Sequence, residues 1–139
     1  MPALTIDLDR LAEALDAQDR FDRILDLETG ELRALRMDTL PFDEREALEA
    51  RPDRYVAVPR LDLDARIALR EAFLHELRDP HAHPLLALAL GGRKPLRTFD
   101  FKLEDFPAVR QAWLDYQTVQ LREYAITWLH DNGLEPSRR

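Results

Sequence analysis

The chain reads as an α+β protein: a small, three-stranded, mostly antiparallel sheet packed by about four helices, the last of them long. Three observations predict this. Apolar residues recur at helical spacing around 7–17, 62–77, 84–90 and 107–129. Two short apolar runs flank Glu28-Thr29-Gly30-Glu31, the pattern of a β-hairpin. The segment RYVAVP, residues 54–59, is rich in strand formers and ends in a proline.

Taken in order, Leu8, Leu11, Ala12 and Leu15 form one apolar stripe, with Thr5 or Asp7 as N-cap. Hairpin strands are expected near 22–28 and 31–36, carrying Ile24, Leu25 and Leu27, then Leu32 and Leu35, with Met37 closing the second run. Gly30 supplies the positive φ of the turn. Residues 41–53, PFDEREALEARPD, suit a short acidic helix or an irregular loop, and Tyr55, Val56 and Val58 build a third strand.

Asp62 or Asp64 then caps a helix on which Leu63, Ile67, Phe73, Leu74 and Leu77 share a face and Arg66, Arg70 and Arg78 fall outside it. Asp79-Pro80 ends that helix, because the residue before a proline is pushed out of helical conformation. Pro84–Leu90 makes a further short helix ended by Gly91-Gly92. Pro107 starts the last helix, with Val109, Trp113, Tyr116, Gln120 and Tyr124 on one side and Leu121 and Trp128 widening it. Asn132-Gly133 stops it.

At 139 residues the chain is expected to be one domain, 1–139, with a frayed tail over about 133–139. Such a length buries roughly two-thirds of the unfolded surface, so neither a metal nor a disulfide is needed to hold it. The absence of cysteine excludes a disulfide framework, a thiolate zinc site and a cysteine nucleophile. The longest apolar run, PLLALAL, is too short to span a bilayer, and MPALTIDLDR lacks the features of a signal peptide. A cytoplasmic protein without membrane contact is expected.

The net charge of −7 is unevenly spread. Residues 1–50 carry fourteen acids and six arginines, while 51–139 carry thirteen acids and fourteen bases. Both lysines fall within GGRKPLRTFDFK, residues 91–102, which holds four bases, Arg93, Lys94, Arg97 and Lys102, and one acid. Overall acidity disfavours non-specific nucleic-acid binding. A local basic spot can still hold an anion.

No GxSxG, P-loop, GxGxxG or HExxH pattern is present. His75, His81 and His83 lie within nine residues and could supply a catalytic metal site, but no pair is spaced by four as helical ligands require. Acid pairs such as Asp7/Asp9, Asp26/Glu28, Asp43/Glu44 and Glu104/Asp105 are unavoidable among 27 acids and mark no cleft. Trp113 and Tyr116 read as core. GGRKPLRTFDFK reads either as a glycine-led basic loop that holds a phosphate or carboxylate, or as a turn whose Leu96, Phe99 and Leu103 plug the core.

The order DLETGEL, RYVAVP, ALGGRKPLRTF and a terminal helix with Trp113 and TWL resembles the bacterial uncharacterised protein family 0158 over roughly residues 5–130. Asp26, Thr29, Gly30 and Glu31 carry the first match, Tyr55 and Pro59 the second, and Gly92, Lys94, Pro95, Arg97 and Phe99 the third. Leu96 stands where the family has an aromatic, and Thr98 and Asp100 where basic residues are common. The resemblance implies a fold and names no catalytic residue.

The leading expectation is therefore a non-catalytic binding or protein-interaction module without a cofactor, contacting a protein partner or small anion through Arg93, Lys94, Arg97 and Lys102. Single-stranded nucleic-acid binding through the same stretch, with Phe101 stacked on a base, is the first alternative. A metal-dependent enzyme built on His75, His81 and His83 is the second. Homo-oligomerisation is left open.

Overall fold

The computed structural model describes residues 6–36 and 38–134. Thr5, Met37 and residues 135–139 of the expected tail lie outside the described residues. The chain divides into two compact units, residues 1–60 with 121–139, and residues 61–120.

The first unit holds the sheet. Helix α1 (Leu8–Leu15) starts at Asp7, whose carboxylate accepts the amides of Asp9 and Arg10 at 3.0 and 3.2 Å. This satisfies donors that a helix start leaves without partners. Strands β1 (Asp22–Asp26), β2 (Leu32–Leu35) and β3 (Tyr55–Val58) form an antiparallel sheet in the order β2-β1-β3. Leu25, fully buried, sits between Leu32 and Val56 in the register and is the sheet's main apolar anchor.

Gly30 turns the hairpin with φ 77°, a conformation that costs an L side chain. Gly30→Ala is expected to destabilise the protein by about 1–2 kcal/mol, read as a lower urea midpoint. An unchanged midpoint would show that the turn tolerates a Cβ.

The acidic stretch is helical after all, as α2 (Phe42–Glu49), yet none of its residues is buried. Its inner side, Ala47 and Leu48, meets Leu35 and Tyr55 across a groove of about 270 Å³. An eight-residue helix with so little packing has weak support of its own.

The second unit is helical. It comprises α3 (Leu63–Glu76), α4 (Ala82–Leu90), α5 (Pro95–Leu103) and the 107–120 portion of α6 (Pro107–Asp131). Asp62 caps α3 by accepting the Ala65 amide at 2.7 Å. The core gathers Phe73, Leu86, Phe99, Leu103 and Trp113. Trp113 meets Phe73 and Phe99 edge-on, both with ring centroids 5.4 Å away. Such edge contacts align ring quadrupoles and add to the burial term.

The α+β class, the three antiparallel strands and the long last helix are as expected; the described residues carry six helices. Two expectations about helix faces are corrected. Arg66 and Arg70 are buried at 6% and 3% exposure, whereas Leu63, assigned to the apolar face, is 52% exposed. A guanidinium is flat and weakly hydrated, so it can stack on rings where a hydropathy wheel places only carbon. Arg70 does this, 4.9 Å from the Trp113 centroid and 5.5 Å from that of Phe99, while donating to the Arg66 carbonyl at 3.1 Å.

On α6 the expected stripe holds at Val109 and Trp113, but Tyr124 is 40% exposed, and Leu121, Ala125 and Leu129 are buried instead. The buried set rotates around the helix along its length, which a single straight stripe cannot represent. Gly133, with φ 71°, ends α6, and the Leu134 amide reaches back to the Leu129 carbonyl at 2.8 Å.

Candidate functional site

The basic stretch is largely helix rather than loop, which corrects the expectation for 91–102. Gly91 ends α4 in a right-handed conformation, φ −84°, so its freedom to adopt positive φ is unused. Lys94 lies outside the helical region, at φ −124° and ψ 71°, in keeping with the bias of a residue before proline, and Pro95 takes the first helical position of α5. Phe99 and Leu103, one helical turn apart, are buried at 0% and 2% and fasten α5 to the core.

That anchoring decides which side faces water. At 100° per residue, Lys94, Arg97 and Phe101 lie opposite Phe99 and Leu103. Arg97 is exposed, and Phe101 is 64% exposed. The two phenylalanines, two residues apart, therefore have opposite tasks: Phe99 is core and Phe101 is surface. Arg93 is exposed in the preceding turn, and Lys102 is half-buried beside the stripe.

The four cations share a second property. Among the described residues, Arg93, Lys94, Arg97 and Lys102 have no carboxylate within ion-pair distance and no side-chain hydrogen bond. Several arginines of the other unit contrast with them: Arg23 and Arg60 hold Asp19, Arg36 holds Asp38, Arg45 holds Glu49, and Arg122 holds Asp9. The acid within the basic stretch, Asp100, lies 4.0 Å from the buried Arg70. Among the described residues no acid of α5 forms an ion pair with the exposed stripe. No side chain caps the start of α5, so its first-turn amides add positive potential beside Lys94 and Arg97.

The other candidates separate. His75 and His83 line a shallow groove of about 390 Å³ with Glu71, Leu74, Ala87 and Leu90. His81 does not join them. It stands at the start of α4, where the Asp79 carboxylate accepts the amides of His81 and Ala82, both at 2.9 Å. Those amides, Ala82 first, hold the Asp79 carboxyl below its ordinary range. Among the described residues no three His, Asp or Glu side chains come together as metal ligands.

Several of the acid pairs have structural work: Asp7 caps α1, Asp9 binds Arg122, and Asp26 and Glu28 both bind Arg54. The anchoring roles of Asp26 and Asp19 are not visible in the sequence: Asp26 binds Arg54, 28 positions on, and Asp19 binds both its neighbour Arg23 and the distant Arg60, pairings that depend on the fold.

Among the described residues no helix is long and apolar enough to cross a membrane. No solved structure matches the chain at a significant level. A relative from Pseudomonas aeruginosa named "UPF0158 protein PA5073" is 39% identical over 140 residues, covering 100% of this chain and 90% of the relative. The sequence also matches the model of the "Uncharacterised protein family (UPF0158)" over residues 1–139. A family match over the whole chain, together with a relative of this identity and coverage, makes the chain a member of the UPF0158 family.

Proposed function

We propose that the chain is a non-catalytic binding module whose contact surface is the exposed face of α5, and that its ligand is anionic. The observation that carries this reading is the stripe itself: Lys94, Arg97 and Phe101 on the side opposite the core anchors, with cations that no described carboxylate neutralises. An acidic protein surface or a small carboxylate or phosphate suits such a stripe, because arginine presents a planar fork to either group.

Titration of a short acidic peptide, followed by fluorescence anisotropy, tests it. Arg93→Glu, Lys94→Glu and Arg97→Glu together are expected to weaken binding by at least about tenfold, since interface charges of this kind contribute a kcal/mol or more each. Equal binding by the reversed protein would remove the surface from consideration.

Exposure of Phe101 beside Arg97 also favours the second reading, a single-stranded oligonucleotide with a base stacked on the ring. Salt separates the two. With about three phosphate contacts, oligonucleotide affinity should fall roughly ten- to twenty-fold between 50 and 200 mM salt. A flat response would dismiss the nucleic acid.

A further inference from the structure

We infer that the exposed face of α5 is the docking site for helix α2 of a second copy of this chain, an inference that rests on the binding-module reading and names its partner. Helix α2 turns Ala47 and Leu48 toward the sheet. By the 100° rotation per residue, Phe42, Glu46 and Glu49 then lie on its outer side. Phe42 is 76% exposed, among the most exposed large apolar side chains described, and no residue of α2 is buried.

The outer stripe of α5 has the opposite charges and the same spacing, read in reverse. From Phe42 it is four residues to Glu46 and seven to Glu49; from Phe101 it is four back to Arg97 and seven back to Lys94. At about 1.5 Å rise per residue both stripes span roughly 10 Å. Laid antiparallel, the two helices therefore bring Phe42 to Phe101, Glu46 to Arg97 and Glu49 to Lys94 together.

The pairing covers two exposed rings and supplies carboxylates to two of the free cations. Glu49 already has Arg45 at 3.4 Å, with both side chains about half or more exposed. Such a surface pair contributes little and yields readily to a second partner. Glu46 has no ion pair among the described residues. Each copy carries one stripe of each kind, so the contact joins the first unit of one copy to the second unit of another. A helix-on-helix strip of this size gives weak association, and the two charge pairs make it sensitive to salt.

Sedimentation equilibrium of the full chain across the micromolar range tests the inference. At low salt the mean mass is expected to rise with concentration and to fall when salt is added. Phe42→Ala, Phe101→Ala or Arg97→Glu should each weaken association by about tenfold, as loss of an apolar anchor or of a charge partner in a small interface does. The double variant Glu46→Arg with Arg97→Glu should regain it, because the pair is restored with its signs exchanged.

All these side chains are exposed, so urea midpoints should stay put and confirm that each variant folds. A chain that remains monomeric throughout, or one whose association ignores these changes or is not regained in the double variant, overturns the inference. A monomer that still binds an acidic peptide through Arg93, Lys94 and Arg97 leaves the binding-module reading standing. A monomer that binds no anion removes both.

Discussion

Phe99→Ala is expected to destabilise the protein by about 3–5 kcal/mol, whereas Phe101→Ala, two residues on, should change stability by less than about 0.5 kcal/mol. Phe99 is 0% exposed, and its ring contacts Trp113 on one side and the Arg70 guanidinium on another. Truncation leaves a ring-sized cavity and removes a stacking partner of a buried cation. It also releases the main tether of α5, so the exposed stripe should lose its order along with the core. Urea denaturation measures both variants. Equal midpoints for the two would contradict the assignment of Phe99 to the core and Phe101 to the surface.

The second large effect is expected at Asp26, whose side chain is 6% exposed. Arg54 grips it with two bonds of 3.1 Å, from Nε to Oδ1 and from Nη2 to Oδ2, and the Glu28 amide donates to Oδ1 at 2.9 Å. The pair ties the hairpin turn to the residue that enters β3, across 28 positions of sequence. Removing one partner of a fully buried pair costs about 3–5 kcal/mol, but Arg54 keeps some solvent and a second carboxylate in Glu28. Asp26→Ala should therefore cost about 2–3 kcal/mol.

Acid should act on the same pair. The Arg54 guanidinium, helped by the Glu28 amide, holds the Asp26 carboxyl below the usual carboxylate range against the opposing effect of burial. A depressed folded value means that the stabilisation is full above the unfolded value, about 4, and drains away as pH falls through the folded one. Stability of the Asp26→Ala variant should accordingly depend less on pH below about 4 than that of the parent. Parallel acid profiles would show that Asp26 is not the responsible group.

Local rules carried most of the secondary structure. Asp7 and Asp62 cap helices because short carboxylates reach free amides, Gly30 turns the hairpin because it tolerates positive φ, and Pro59 ends a strand. Residues whose position depends on tertiary partners were less legible. Arg66 and Arg70 look like solvent residues by charge, yet rings from α5 and α6 surround Arg70. Helix α5 was hidden because Gly91-Gly92 and the basic residues signal a turn. The overlooked signs were Pro95 at a first helical position and Phe99 and Leu103 spaced by four. Once those are seen, the wheel alone separates Phe99 from Phe101. The candidate cations were legible by composition, but that they lack described partners depends on where every acid ended up.

The contact surface itself is tested most directly by following backbone and ring NMR signals during titration with an acidic peptide. Shifts confined to Arg93, Lys94, Arg97, Phe101 and Lys102, saturating together and saturating only at higher peptide concentration in the protein carrying Arg93→Glu, Lys94→Glu and Arg97→Glu, are the expected result. Saturable shifts elsewhere with this helix silent, or no response at all, would contradict the assignment of the α5 face as the place where the protein meets its partner.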